Sequence, residues 1–153
     1  MAYNVIDIAK KIIKMADWDV PNGGEGMTNL KLQKLLYYEQ GYHLAAFDSP
    51  LFEEPVEAWM YGPVVPAAYD YYHQYGAQTL PVEDDVISLT DDEEELFSQV
   101  FEAFRDFSAI GLMNKTHQEY PWASKKDHGR GVVISQSAMK AFFKTQLIDD
   151  QEN

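Results

Sequence analysis

Cysteine is absent from the 153 residues. That rules out disulfides, a thiolate nucleophile and any cysteine-bound zinc, and it fits the reducing cytoplasm in which we place the protein. Basic residues are scarce: 12 Lys and Arg stand against 25 Asp and Glu, a formal charge of −13. Phosphate contacts need clustered cations, so direct binding to nucleic acid or to an anionic membrane is disfavoured, and a basic partner is favoured. Long apolar runs are missing as well. No segment approaches the roughly 20 apolar residues of a membrane span. The N-terminal MAYNVIDIAKKIIKMA is broken by Asp7 and three lysines, so it lacks the apolar core of a signal peptide.

The familiar chemical motifs are missing too. There is no G-x-x-x-x-G-K-[ST] loop, no G-x-G-x-x-G fingerprint, no G-x-S-x-G elbow and no H-E-x-x-H. The four histidines, at 43, 73, 117 and 128, have no ligand-pair spacing. We expect no catalytic residue, no cofactor and no metal site, hence no enzyme. His43 reads as a hydrogen-bonded packing residue. His117 reads as a structural lock, its ring held by Thr116 or Glu119. A hydrolase built on His117 would instead need a pocket with an oriented carboxylate.

What the chain does contain is enough apolar residue for a core, 46%, in a length that favours one domain over 1–153. Its centre is TNLKLQKLLYYEQGYHLAA, residues 28–46. At about 100° per residue, Leu32, Leu35, Leu36, Tyr42 and Ala46 share one face, and Leu30, Tyr37 and Leu44 lie nearly opposite. Two apolar faces predict a helix covered on both sides. Thr28 or Asn29 caps it. Glu39 falls within the first face and is expected to find a Tyr or Lys partner there.

A first helix over 4–16 presents Val5, Ile8, Ala9, Ile12 and Ala16 inward and Lys10, Lys11 and Lys14 to solvent. Residues 56–61 alternate as a short strand, with Gly62-Pro63 as the turn. Pro66 opens a helix over 67–75 that stops at Gly76. Its Tyr69, Tyr71, Tyr72 and Tyr75 cannot all face inward. A short strand is read at 86–89. Thr90 and Glu93 form a capping box for a helix with Leu96, Val100, Phe104 and Phe107 on its core face and Phe97 and Phe101 beside it. Eight acids and no base lie between Glu83 and Glu95, a solvated face. Ser108 caps a short helix ending near His117. Residues 118–131 read as loop, with Pro121 as breaker and a basic patch at Lys125, Lys126, His128 and Arg130. Val132 to Ile134 is extended, and Ser135 caps a last helix with Met139, Phe142, Phe143 and Leu147 inward. The fold class is mainly α: a helical domain around a central buried helix, with short strand or hairpin elements.

Three blocks, TNLKLQKLLYYEQGYHLA (28–45), PLFEEPVEAWMYGPVVPAAY (50–69) and THQEYPW (116–122), resemble in order and wording the Panacea antitoxin domain family, which includes phage-associated GepA-like and SocA-type adaptor proteins. The resemblance runs over roughly residues 4 to 145. Its motif positions are Leu32, Lys34, Leu35, Tyr37, Trp59, Gly62, Pro63, His117 and Trp122, and we expect them to be structural. Tyr120 stands where the family pattern often has Gly. The resemblance implies a non-enzymatic protein, carried by a phage or mobile element, that binds and neutralises a cognate toxin protein. In the adaptor branch it delivers that toxin to a cytoplasmic protease. Tyrosine buries much area while keeping one end wet, so Tyr61, Tyr69, Tyr71, Tyr72 and Tyr75 are the expected partner contacts. The alternative reading is an acidic DNA mimic that inhibits a host nucleic-acid-binding protein, which needs the acids of 83–95 to form a phosphate-like strip.

Overall fold

A computed structural model describes residues 2–22, 26–126 and 131–152. The central helix is α2, Asn29–Phe47, preceded by α1, Val5–Asp19, with a 3-10 turn at Val20–Asn22. Fourteen of the nineteen α2 residues are buried, among them the motif residues Leu32, Lys34, Leu35 and Tyr37, which is what coverage on both sides requires. Thr28 caps the start, accepting from the Lys31 N–H, and Asp48 ends the helix in the left-handed conformation, φ 57°. At the two ends the helix outruns its neighbours: Leu30 is 38% exposed and Ala46 is exposed, although both fall on apolar faces in the sequence.

A hairpin follows, β1 at Val56–Trp59 and β2 at Gly62–Val64, with β3, Val133–Ile134, pairing on the other side of β1. Both pairings are antiparallel, with Glu57 opposite Val64, Trp59 opposite Gly62 and Val56 opposite Ile134. The turn is therefore Met60-Tyr61, not Gly62-Pro63. Pro63 sits in an edge strand, where a missing N–H breaks no ladder. Ending β1 at Trp59 leaves Met60 on the turn, 77% exposed.

Helix α3, Pro66–Tyr71, gives way to a 3-10 turn at His73–Tyr75 rather than continuing to Gly76. Residues 86–89 form no strand; they pass over α1 as irregular chain. Helix α4, Asp91–Phe104, has the full capping box. Its buried residues are Phe97, Val100, Phe101 and Phe104, so the core stripe is rotated from the sequence reading. Phe107 lies past the helix end and is 40% exposed. Helix α5, Ala109–His117, is capped by Ser108. The Pro121 segment is not wholly loop: Tyr120–Ala123 is one helical turn, α6, with proline in the first turn, where its missing N–H costs nothing. Helix α7, Gln136–Glu152, starts from Ser135, whose hydroxyl accepts from the Ala138 N–H.

Helix α2 touches α1, α3, α4, α5, α7 and β2. The sites on it that bind loops are polar. Gln40 donates to Phe52 O at 2.7 Å and accepts from Leu51 N at 2.7 Å, tying the 47–55 segment to the helix. Thr90→Ala removes an N-cap whose oxygen holds the Glu93 N–H. It should lower stability by about 1 kcal/mol, as cap losses do, read from urea unfolding. A cost near zero would mean the box is not formed in solution.

Candidate functional site

The motif residues scattered over ninety positions converge on one knot between α2, the hairpin and the α5–α6 corner. Lys34, fully buried on α2, donates from Nζ to Pro63 O at 3.4 Å. The neighbouring Gln33 accepts from the Val65 N–H at 2.9 Å, so two consecutive side chains of α2 hold the free edge of β2. Gly62 has φ 107°, and a Cβ there would lie 2.9 Å from Lys34 Cε and 3.0 Å from Thr116 Oγ1. Only glycine meets both demands. Trp122 Nε1 donates to Trp59 O at 2.7 Å, joining the α6 turn to the end of β1. The His117 ring stacks on Trp122 at 3.9 Å.

His117 is thus held by Trp122, and not by Thr116 or Glu119. Thr116 Oγ1 donates instead to Met113 O, and the buried Glu119 accepts from the hydroxyls of Tyr37 and Tyr38, each at 3.1 Å. Burial raises Glu119 above the ordinary carboxylate range, while Lys115 and the two tyrosines pull the other way. Burial is also the main reason both tyrosines are pushed upward. Burial lowers His117, with Lys34 and Lys126 adding in the same direction and a hydrogen bond donated to the Met60 backbone opposing. Its Nε2 is buried without a partner among the described residues. No carboxylate among the described residues hydrogen-bonds His117. No group of three or more His, Asp or Glu side chains is placed to hold a metal among the described residues.

Beside the knot lies a cleft of about 280 Å³ whose lining includes Gln33, Lys34, Trp59, Tyr61 and Tyr69. Trp59 and Tyr69 meet edge to face at 5.0 Å. Tyr61 is 61% and Tyr71 52% exposed, and Tyr69 and Tyr75 are half-buried. Tyr72 is 3% exposed, and we withdraw it as a partner contact: the turn from α3 into the 3-10 segment aims it at the core.

The acidic stretch is not simply solvated. Lys10 pairs with Glu83 at 3.1 Å, Lys11 with Glu94 at 2.8 Å, and Lys14 donates to Asp84 O. The lysine face of α1 is a dock for the chain's own loop. Glu93 accepts from Tyr3 and pairs with His43 Nε2, both at 2.6 Å, and His43 Nδ1 bonds Ser49 O. Burial would raise Glu93, but the bonds from Tyr3, His43 and Thr90 outweigh it and hold it at about 2. His43 is the packing residue expected. Glu39 is not paired as expected: it is 3% exposed, its Oε2 has no partner among the described residues, and burial raises it well above its usual value. Of the basic patch, Lys125 and Lys126 follow α6, whereas His128 and Arg130 lie outside the described residues.

Residues 32–123, from the first buried leucine of α2 to the end of α6, match the model of the antitoxin SocA-like, Panacea domain. The chain belongs to this family. Antitoxin SocA of Caulobacter vibrioides (strain NA1000 / CB15N) is 40% identical over 63 residues, which is 41% of this chain and 31% of that protein. The match thus spans about a third of the curated relative's length. No solved structure matches the chain. Within the Panacea domain the knot accounts for the motif residues: each of Lys34, Trp59, Gly62, Pro63, His117 and Trp122 touches another of them. Sequence reasoning missed Gln33 and Gln40, buried polar residues that anchor loops, and gave Glu119 the wrong partner. The signal for the two glutamines was a polar side chain at a buried helical position, which does not name its partner. No helix among the described residues is long and apolar enough to cross a membrane.

Proposed function

We propose that this Panacea protein is a non-enzymatic antitoxin of the cytoplasm, carried by a phage or mobile element, that binds and neutralises a cognate toxin protein. The observation that carries the reading is how the motif residues are used. They close on one another in a packed knot, while the hairpin they hold presents Met60 and Tyr61 to solvent beside a cleft. A surface of exposed Tyr and Met held on a rigid hairpin suits protein binding. The acids Glu83, Glu93 and Glu94 are engaged within the chain, which speaks against a phosphate-like strip and so against the DNA-mimic reading.

The contact we propose comprises the exposed Tyr61 and Tyr71, together with the half-buried Tyr69 and Tyr75. The test is rescue of growth on two plasmids, one carrying the protein and one the toxic product of the adjacent reading frame. Tyr61→Ala combined with Tyr71→Ala should abolish rescue and leave the melting temperature within a few degrees, since exposed substitutions cost about 0.5 kcal/mol or less. Full rescue by the double variant would place the contact elsewhere. The toxin's half-life separates the two modes of action: delivery to a protease shortens it when the antitoxin is present, and sequestration does not.

A further inference from the structure

The cleft beside the knot has a chemical character opposite to that of the chain. The protein carries 25 acids, yet among the described residues no Asp or Glu lines this cleft, and the one charged residue bordering it is Lys34. Among the described residues Lys34 has a single hydrogen bond, the 3.4 Å contact to Pro63 O, and no carboxylate within 4.0 Å. An ammonium has three donors, so two remain unused in a setting where unpaired charge is costly. The polar neighbours bond to other groups. Gln33 is engaged with Val65 N and Asn29, and Asn29 with Tyr69 O. The walls are aromatic and apolar: Trp59, Tyr61, Tyr69 and Val64. Lys34 is closed off from water, and the bordering side chains most free to give are Tyr61 and the 38% exposed Leu30.

We propose that this cleft binds the C-terminal residue of a partner polypeptide, its carboxylate meeting the Lys34 ammonium and its side chain lying among Trp59, Tyr61 and Tyr69. The anion follows from the uncompensated cation. The size follows from the volume, which at about 280 Å³ sits below the usual range of roughly 300–1,000 Å³ for a drug-sized ligand and suits one or two residues. The chain end follows from hydrogen bonding. A segment running through the cleft would bury peptide groups on both sides of its anchor, and the amides of Asn29 and Gln33, each with bonds already made, leave few partners for them. A terminal residue buries one peptide group and brings its own charge. The inference holds whether or not the partner is a toxin. Lys34 is lowered to about 7 by burial, so a carboxylate arriving above that pH draws a proton onto it. The other titratable groups facing this region are His117 of α5 and the cleft tyrosines Tyr61 and Tyr69.

The test uses the full chain and three N-acetylated tetrapeptides: one ending in a free Phe carboxylate, its C-terminal amide, and an amidated peptide with an internal Glu. Calorimetry at pH 6 and pH 8.5 reads affinity and proton uptake. The free acid should bind about tenfold or more tighter than its amide, the step one charge-assisted hydrogen bond supplies, with proton uptake at pH 8.5. Lys34→Met should erase that difference while circular dichroism shows the native helix content. Tyr61→Ala, on an exposed residue that folding does not need, should weaken the free acid and the amide together. Equal binding of acid and amide, no binding of any peptide, or an unchanged preference in Lys34→Met overturns the proposal. Equal binding of the internal-Glu peptide assigns the cleft to side-chain carboxylates and overturns the terminal assignment. Indifference to Tyr61→Ala overturns the placement of the side chain.

Discussion

Gly41→Ala should destabilise the protein by roughly 2 kcal/mol, although alanine is the better helix former by about 1 kcal/mol. Gly41 is in the middle of α2, and its missing side chain is where α7 crosses. A Cβ built there overlaps the Cδ2–Cε2 edge of the Phe143 ring. That ring has no room to retreat. It is 1% exposed and meets Tyr37 at 5.4 Å, Tyr42 at 4.9 Å, Tyr38 at 5.9 Å and Phe142 at 5.0 Å. The displacement must be taken up by moving α7 off α2, which breaks the aromatic cluster as a unit. Overpacking usually costs about 1–3 kcal/mol, and the propensity gain is too small to offset it at the upper end. The double variant with Phe143→Leu isolates the cause. Phe143→Leu will itself be costly, but on that background Gly41→Ala should cost under about 1 kcal/mol, because the two substitutions share one contact. A wild-type penalty below about 1 kcal/mol in urea unfolding would show that the helices do not cross there.

Gly41 also marks the limit of what the sequence displays. The two-faced helix at 28–46 was legible because burial on both sides leaves a periodic trace. The capping box and the Ser135 start were legible because caps are local chemistry. A glycine in the middle of a strong helix pattern gives no sign of what crosses it. The Glu39 side chain, read as partnered, fails for the same reason: periodicity places a residue inside but does not supply its neighbours. Residues 86–89 were read as a strand because Val86, Ile87 and Leu89 are apolar, yet they pack on α1 with no strand beside them, while Lys11 takes up the Ile87 carbonyl. At the candidate site, the motif words named the residues of the knot but not their geometry. That Lys34 is buried under Pro63, that His117 lies on Trp122, and that Tyr72 turns inward all depend on contacts between segments far apart in sequence.

Lys34→Met should make the protein more stable at pH 6, by roughly 2–4 kcal/mol, and the gain should disappear by pH 10. Burial lowers the Lys34 ammonium from 10.5 to about 7. At about 1.4 kcal/mol per unit, keeping it charged in the folded state below pH 7 costs up to roughly 5 kcal/mol. Against this, Pro63 O loses its donor in the variant, a loss of about 1–3 kcal/mol for a buried acceptor. The sign follows from proton counting. Between about pH 7 and 10.5 the unfolded chain binds a proton at Lys34 that the folded chain lacks, so stability rises with pH across that window. Below it both states are protonated and the penalty is full. The wild type should therefore gain on the variant as pH climbs, and near pH 10 the lost Pro63 bond should leave the variant equal or worse. Glu39 acts in the opposite sense. Its raised value means the folded state holds a proton the unfolded state has released, so its penalty begins near 4.5 and grows with pH. Glu39→Gln should relieve a falling slope and Lys34→Met a rising one, which separates the two groups in urea melts taken across pH 5 to 10. A stability gain in Lys34→Met that is the same at pH 6 and pH 10 would show that the lysine is solvated or paired in solution, and would remove the uncompensated cation on which the cleft's preference for a carboxylate depends.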